Sequence, residues 1–286
     1  MVARRVLGLG LLGSLMAACS PARMFNEVAL IKTRSRVIRG VDYRPGARGK
    51  LDIYAPPGDS STPRPVVVFI YGGGWDSGER GLYSFVGASL ASLGYVTVIP
   101  DYRVFPEVRF PSFLQDNADA VRWVRDHIGE HGGDVNRMAL MGHSAGAYNA
   151  MMLALDRQWL TTTGVDPSII KAVCGLAGPY DFYPFTVQSS QQAFGSWPDP
   201  IVTQPVHFVR KDAPPVWVAN GLQDDTVRPY NARNLVAALH EVGAVAQERY
   251  YSGINHVDIV TAMSFPFEGK APVRKDVGAF LKAHIG

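Results

Sequence analysis

Six short apolar runs, separated by helical patterns, constrain the fold more than any other feature of this sequence. They lie at 66–71, 95–103, 138–142, 169–178, 215–221 and 246–253. Runs that are apolar throughout are typical of parallel strands buried on both faces. The intervening segments 114–130, 230–243 and 273–286 repeat apolar residues at spacings of three and four, as amphipathic helices do. This alternation predicts an α/β fold with a mostly parallel central sheet and helices on both faces.

One segment interrupts the alternation. Residues 181–213 are rich in aromatic residues, proline and glutamine and have weak periodicity. We expect them to form a small insertion over one end of the sheet, which would act as a lid. The 286 residues are enough for one large α/β domain, which we expect at 37–286. The net charge of +3 is too small to indicate nucleic-acid binding, so no such partner is expected.

The first 18 residues are organised like a secretory signal peptide. Two arginines precede the apolar run 6–18, which is too short to span a bilayer as a helix. The run ends in Leu-Met-Ala-Ala-Cys, which is similar to a bacterial lipobox and makes Cys19 the predicted lipidation site. We expect residues 19–36 to be a lipid-anchor tether on a bacterial envelope lipoprotein, held at the (outer) membrane and facing the periplasm. A soluble periplasmic or secreted protein is the alternative.

The second cysteine, Cys174, lies in an apolar stretch, where a buried and inert thiol is expected. No spacing of cysteine and histidine indicates a metal site. We therefore predict neither a metal nor another cofactor.

The residues after the third apolar run contain the pattern G-x-S-x-G, with Ser144 between Gly142 and Gly146. A predicted strand precedes this pattern and an alanine-rich helical run follows it, which is the setting of a nucleophile elbow. Small residues suit both glycine positions because the turn is tight and bulk there would collide with the strand or the helix. A serine hydroxyl is a poor nucleophile at neutral pH, so Ser144 needs a base and an acid that orients the base.

The acid and the base are predicted at the ends of two later strands. Asp224 follows the strand that ends at Gly221, and its neighbour Asp225 is the reserve candidate. His256 follows the last strand and a glycine turn, whereas His143 lies inside the elbow and is expected to pack beside the serine. The order Ser, Asp, His is the one that a nucleophile elbow predicts. We therefore predict a catalytic triad of Ser144, Asp224 and His256.

Three motifs in order make the chain resemble the α/β-hydrolases. They are Gly-Gly-Gly-Trp at 72–75, Asp-Tyr-Arg at 101–103 and the elbow at 142–146. The resemblance is to the esterase group that includes bacterial carboxylesterases, hormone-sensitive-lipase-like enzymes and kynurenine-formamidase-like enzymes. That group carries a histidine before the glycine run, whereas this chain has Tyr71. A tyrosine can brace the loop with its ring and hydroxyl.

The resemblance implies a serine-dependent carboxylic ester hydrolase that works through an acyl-enzyme. The N–H groups of Gly73, Gly74 and Ala145 would form the oxyanion hole. Short-chain or aryl esters are the expected small-molecule substrates, because little chain precedes the domain to build a large N-terminal cap. Amide cleavage by an arylformamidase-like or peptidase-like enzyme is one alternative. A non-catalytic α/β-hydrolase used for binding is the other.

Overall fold

The computed structural model describes residues 21–58 and 62–286. The predicted signal segment 1–18 and Cys19 lie outside the described residues. Within them, one sheet has eight strands in the order β1-β2-β4-β3-β5-β6-β7-β8. The strands are β1 (Arg36–Asp42), β2 (Lys50–Ala55), β3 (Arg64–Ile70), β4 (Val96–Pro100), β5 (Gly133–His143), β6 (Ile170–Leu176), β7 (Val216–Gly221) and β8 (Ala246–Tyr251). Strand β2 is antiparallel to both of its neighbours, β1 and β4, and every other pair of neighbouring strands in the sheet is parallel.

Helices cover both faces of this sheet. They are α1 (Pro21–Thr33), α2 (Ser84–Ser92), α3 (Ser112–His127), α4 (Ala145–Leu155), α5 (Gln158–Thr161), α6 (Gln188–Phe194), α7 (Tyr230–Glu241), α8 (Asp258–Thr261) and α9 (Val273–Ile285). Helices α4 and α9 both contact β5 and β6, and successive residues of the central strands β3, β4 and β6 are buried on both faces. The predicted α/β class is therefore confirmed, with all six apolar runs forming strands. In the part of the chain that the structure describes, no helix has the length and apolarity to cross a membrane.

Two elements have weak local patterns. Strand β1 alternates irregularly between exposed and half-buried residues, and Gly40 interrupts it. Helix α2 is buried around its whole circumference from Ser84 to Ala91, so it has no polar face and hence no amphipathic periodicity. Both elements owe their conformation to the neighbours on which they pack.

The expected tether is wrong where the structure describes it, at residues 21–36. These residues form helix α1 and the start of β1, and α1 packs against α2. The buried side chain of Asn26 donates to the carbonyl of Gly81 (3.0 Å) and accepts from the N–H of Phe85 (2.9 Å). Ala29 is buried in the same contact. Burial of these side chains makes the helix part of the domain.

Candidate active site

Ser144 lies at the turn between β5 and α4. Its backbone has φ 54° and ψ −127°, a strained conformation for a residue with a side chain. The turn leaves no room beside it: a Cβ on Gly142 would lie 2.3 Å from the carbonyl oxygen of Gly146. A Cβ on Gly146 would lie 2.1 Å from the carbonyl oxygen of Ile70. Only glycine fits at either position, so the elbow can present Ser144 at the carboxyl edge of the sheet.

The structure brings Ser144, His256 and Asp224 together. Ser144 Oγ lies 2.9 Å from His256 Nε2, and His256 Nδ1 lies 2.8 Å from Asp224 Oδ2. The carboxylate of Asp224 can only accept from Nδ1, so Nε2 is left to accept the serine proton. The loops after β7 and β8 therefore bring the two partners to a serine that follows β5.

The two adjacent carboxylates, Asp224 and Asp225, have different surroundings, although Asp225 also borders the site. Asp224 is completely buried, and its Oδ1 accepts from the N–H groups of Thr226 (2.9 Å) and Val227 (2.8 Å). The side chain of Asp225 is 84% exposed and pairs with Arg228 at 2.9 Å. The structure thus places Asp224 against His256, whereas the carboxylate of Asp225 pairs with Arg228.

The glycine run follows β3, the strand next to β5, and packs against the serine. A Cβ on Gly72 would lie 2.9 Å from the Cβ of Ser144. Gly73 has φ 139° and Gly74 has φ 59°, and a Cβ on Gly73 would lie 2.3 Å from the carbonyl oxygen of Ser77. Positive φ at two successive residues is a conformation that glycine adopts without strain.

A cavity of about 380 Å³ opens beside Ser144. Gly74 and Ala145 lie in its wall, whereas Gly73 is not among the residues that line it. The indole ring of Trp75 forms another wall and stacks on Phe182 with ring centroids 5.8 Å apart. The cavity has the size of a small-molecule site, and its wall combines aromatic side chains with polar ones such as Thr226 and Arg228 next to the nucleophile.

The insertion at 181–213 covers this edge of the sheet and contains α6. Two of its aromatic residues, Phe182 and Tyr183, line the cavity. Phe194 is fully buried instead, with its ring 4.7 Å from Trp75 and 5.3 Å from Tyr148. Part of the aromatic content of the insertion therefore shapes the cavity, and part attaches the insertion to the domain.

Residues 51–239 match the model of the BD-FAE family, about two thirds of the chain. The chain belongs to the BD-FAE family. Its curated relatives include isoprenylcysteine alpha-carbonyl methylesterase of Arabidopsis thaliana, 29% identical over 78% of this chain and 57% of that protein. Esterase LipC of Mycobacterium tuberculosis is 30% identical over 73% of this chain and 55% of its own length. This chain thus spans little more than half the length of these relatives.

Solved structures share the fold of this BD-FAE family member. A truncated carbohydrate esterase from gut microbiota superposes with a TM-score of 0.75 and 21% identity, covering 87% of this chain and 96% of that one. Esterase B of Lactobacillus rhamnosis, inhibited by a tributyrin phosphonate, gives 0.76 and 19%, covering 95% of each chain. These matches confirm the predicted α/β-hydrolase fold.

Tyr71 braces the glycine run of this BD-FAE family member from within the core. Its buried ring stacks on Tyr102 with centroids 4.6 Å apart, and the hydroxyl of Tyr102 donates to the Tyr71 carbonyl at 2.9 Å. Arg48 donates to the Tyr71 hydroxyl (3.2 Å) and to the carbonyl of Gly78 (3.0 Å), which closes the loop. Burial raises the pKa of the Tyr71 hydroxyl, which keeps it neutral. Sequence reasoning did not single out Arg48.

A second series of hydrogen bonds, which the sequence did not predict, connects the glycine run to the loop of His256. His143 faces the carbonyl of His256 with Nε2 at 2.9 Å, and a carbonyl can only accept, so Nε2 carries the proton. The hydroxyl of Tyr83 then donates to His143 Nδ1 at 3.0 Å and accepts from the N–H of Gly72 at 3.3 Å. Burial, with His256 nearby, lowers the pKa of His143 to about 3. The neutral imidazole of His143 thus holds the backbone N–H of Gly72 through the hydroxyl of Tyr83, and Gly72 packs against Ser144.

Proposed function

We propose that this protein hydrolyses carboxylic esters through an acyl-enzyme formed on Ser144. The observation that carries the proposal is the continuous hydrogen-bonded series from Ser144 through His256 to the buried Asp224. The esterases among its relatives support the same reaction class. Because the chain spans little more than half of those proteins, their particular substrates are not transferred to it.

The proposed reaction has two halves. Ser144 Oγ attacks the ester carbonyl carbon while His256 Nε2 takes the serine proton, and Asp224 stabilises the imidazolium through Nδ1. The tetrahedral intermediate collapses, the alcohol leaves with the proton from His256, and the acyl group stays on Ser144. Water then attacks the acyl carbon with His256 as the base. The acid leaves, and Ser144 regains its proton.

We propose that the oxyanion is bound by the N–H groups of Gly73, Gly74 and Ala145. Ala145 is the first residue of α4, where backbone N–H groups have no partner within the helix. Gly74 and Ala145 line the cavity beside Ser144, which supports their role directly. For Gly73 the support is its positive φ in the same loop. The loss of one such donor typically costs about 3–4 kcal/mol of transition-state stabilisation.

The cavity favours short-chain or aryl esters. Its volume of about 380 Å³ is near the lower end for small-molecule sites, and Trp75, Phe182 and Tyr183 offer aromatic surface. A panel of p-nitrophenyl esters of increasing acyl length, with formyl-kynurenine and aminoacyl anilides alongside, measures this preference. The value of kcat/KM should be highest for short or aromatic acyl groups. A preference for the anilides would instead assign the protein to the amide-cleaving alternative.

Covalent labelling tests the reaction class. A fluorophosphonate probe should label the wild-type protein and not Ser144→Ala, which should also lose p-nitrophenyl acetate hydrolysis. Ser168→Ala is the control, because Ser168 is an exposed serine in a turn before β6. Wild-type protein that takes up no label would refute the proposal and favour the non-catalytic binding protein. Label on Ser144→Ala would show that another residue reacts and would refute the role of Ser144.

We also propose that the protein is a bacterial envelope lipoprotein anchored through Cys19. The support is the sequence of residues 1–19, with a basic start, a short apolar run and the lipobox-like end. Metabolic labelling with an alkyne fatty acid should mark the wild-type protein and not Cys19→Ser. Cys174→Ser is the matched control because Cys174 is a free, buried thiol, and it should keep the label. An unlabelled wild-type protein would favour the soluble periplasmic or secreted alternative.

A further inference from the structure

Helix α1 turns an apolar stripe away from the protein. Met24, Val28 and Ile31 are 58%, 42% and 74% exposed, and their spacing of four and three places them on one side of the helix. The opposite side carries the buried Asn26 and Ala29. A helix on the surface of a globular protein normally directs its polar residues outward. The outward stripe of α1 is therefore not explained by the fold of the domain.

Two phenylalanines from a distant loop extend this stripe. Phe265 and Phe267 are 40% and 36% exposed. The ring of Phe267 lies 5.3 Å from that of Phe25 on α1, and Lys32 Nζ lies 3.6 Å from the Phe265 ring centroid. We call these five exposed side chains the α1 patch: Met24, Val28, Ile31, Phe265 and Phe267. Clustering of this kind marks an interaction surface, whereas single exposed apolar residues do not.

The α1 patch is held rigidly against the domain. Asn26 makes hydrogen bonds to Gly81 and Phe85, and the ring of Phe25 packs 4.6 Å from that of Phe85. Because these contacts fix the rotation of α1 about its axis, the stripe cannot turn inward without breaking them. The patch is thus a fixed outward surface of the folded domain.

The position of the anchor indicates what this surface meets. Helix α1 begins at Pro21, two residues after Cys19, and two residues span at most about 7 Å. A lipid on Cys19 would therefore hold the start of α1 close to the headgroups. We infer that the α1 patch lies in the interface of the bilayer that receives this lipid. The inference rests on the proposed anchoring at Cys19 and not on the proposed ester hydrolysis.

The chemistry of the patch fits that interface. Apolar side chains on one face of a helix can enter the boundary between headgroups and acyl chains while basic side chains on its flanks contact the phosphates. Lys32 and Arg34 are exposed beside the stripe, with Glu27 and Glu268 as the nearby acids. A lipid and an apolar helix face are two membrane signals, and together they hold a protein more firmly and in one orientation.

A fluorescence experiment on the full, lipidated protein tests the inference. Ile31→Cys and, as control, Val245→Cys are each labelled with a thiol-reactive nitrobenzoxadiazole. Val245 is comparably exposed but adjoins β8, at the far edge of the sheet from β1. Cys174 is fully buried and burial raises the pKa of its thiol, so it should not react. The vesicles contain phosphatidylethanolamine and phosphatidylglycerol, with or without brominated acyl chains.

Brominated lipid should quench the probe at position 31 at least about twofold more than the probe at position 245. Adding Val28→Glu should reduce the quenching at position 31, whereas adding Val242→Glu should not. Equal quenching at the two positions, or none at position 31, would overturn the inference. A blue shift at position 31 without quenching would assign the patch to contact between copies of this chain and overturn the inference as well.

The same samples separate this inference from the proposed reaction. Hydrolysis of p-nitrophenyl acetate is measured on each variant, since none of the substituted residues lies in the active-site cavity. Quenching at position 31 with no hydrolysis would keep the membrane contact and reject the ester hydrolase. Hydrolysis with no quenching at position 31 would do the reverse.

Discussion

His143→Phe is the substitution whose effect the structure defines most closely. Phenylalanine keeps a flat ring but removes both nitrogens, so the carbonyl of His256 and the hydroxyl of Tyr83 each lose a hydrogen-bond partner. An unsatisfied buried polar group costs about 1–3 kcal/mol, so two of them should lower the free energy of unfolding by about 2–6 kcal/mol at pH 7. The loop of His256 should also be held less firmly, which should lower kcat.

The loss of stability should depend on pH in a defined direction. Burial lowers the pKa of His143 from 6.5 to about 3. Between these values the unfolded chain binds a proton that the native protein does not. The stabilisation from a neutral His143 is therefore complete above pH 6.5 and is lost progressively as the pH falls toward 3. Over the interval from pH 6.5 to pH 5 the loss amounts to about 2 kcal/mol.

The phenylalanine variant lacks this titration. The difference in free energy of unfolding between wild type and His143→Phe should thus shrink by about 2 kcal/mol from pH 7 to pH 5. Urea denaturation followed by tryptophan fluorescence at both pH values measures it. His207→Phe is the control, since His207 is exposed and its substitution should change neither value. A difference that stays constant or grows as the pH falls would show that His143 is not held neutral by burial.

Three further substitutions test the active site and a buried ion-pair cluster of Asp116 with Arg44 and Arg103. Gly146→Ala places a methyl group 2.1 Å from the carbonyl oxygen of Ile70, so the elbow must shift, and kcat/KM for p-nitrophenyl acetate should fall about a hundredfold; unchanged activity would contradict the geometry. Asp224→Asn should lower kcat by about 10⁴-fold with the fold intact by circular dichroism, whereas Asp225→Asn should leave kcat near the wild-type value. Asp116→Asn removes the buried charge that pairs with Arg44 and Arg103, and it should lower the free energy of unfolding by about 3 kcal/mol in urea titrations. A loss below the measurement error would show that these two ion pairs contribute nothing to stability.

Local patterns predicted most of the fold. Five of the six runs became largely buried strands because a segment that is apolar on both faces has few alternatives to a covered parallel sheet. The sixth became the edge strand β8, in which exposed residues alternate with more buried ones. The elbow was predictable for a similar reason, because a turn this tight requires small residues at positions 142 and 146, on either side of Ser144. Helix α2, by contrast, is buried all round by its neighbours and leaves no periodic trace in the sequence.

Contacts between distant residues were beyond local patterns. Arg48 reaches the hydroxyl of Tyr71 and His143 reaches the backbone of His256, and in each case the partners are far apart in the chain. Residues 19–36 were predicted to be a tether, and the sequence of α1 alone does not indicate which face of the helix is buried. The burial of Asn26 against α2 shows that face only once both helices are in place.

The sequence by itself determined the chemical set: a serine in a strained turn, a later acid and a later histidine, in an order that parallel strands can bring to one edge. Tertiary structure alone decided between two adjacent carboxylates. Asp224 is buried against His256 and Asp225 is exposed. The physical reason is that the loop after β7 buries one carboxylate among backbone N–H donors and turns its neighbour to solvent. Which carboxylate contacts His256 depends on the backbone geometry of this loop and on the position of β8. Two adjacent aspartates in the sequence do not distinguish these possibilities.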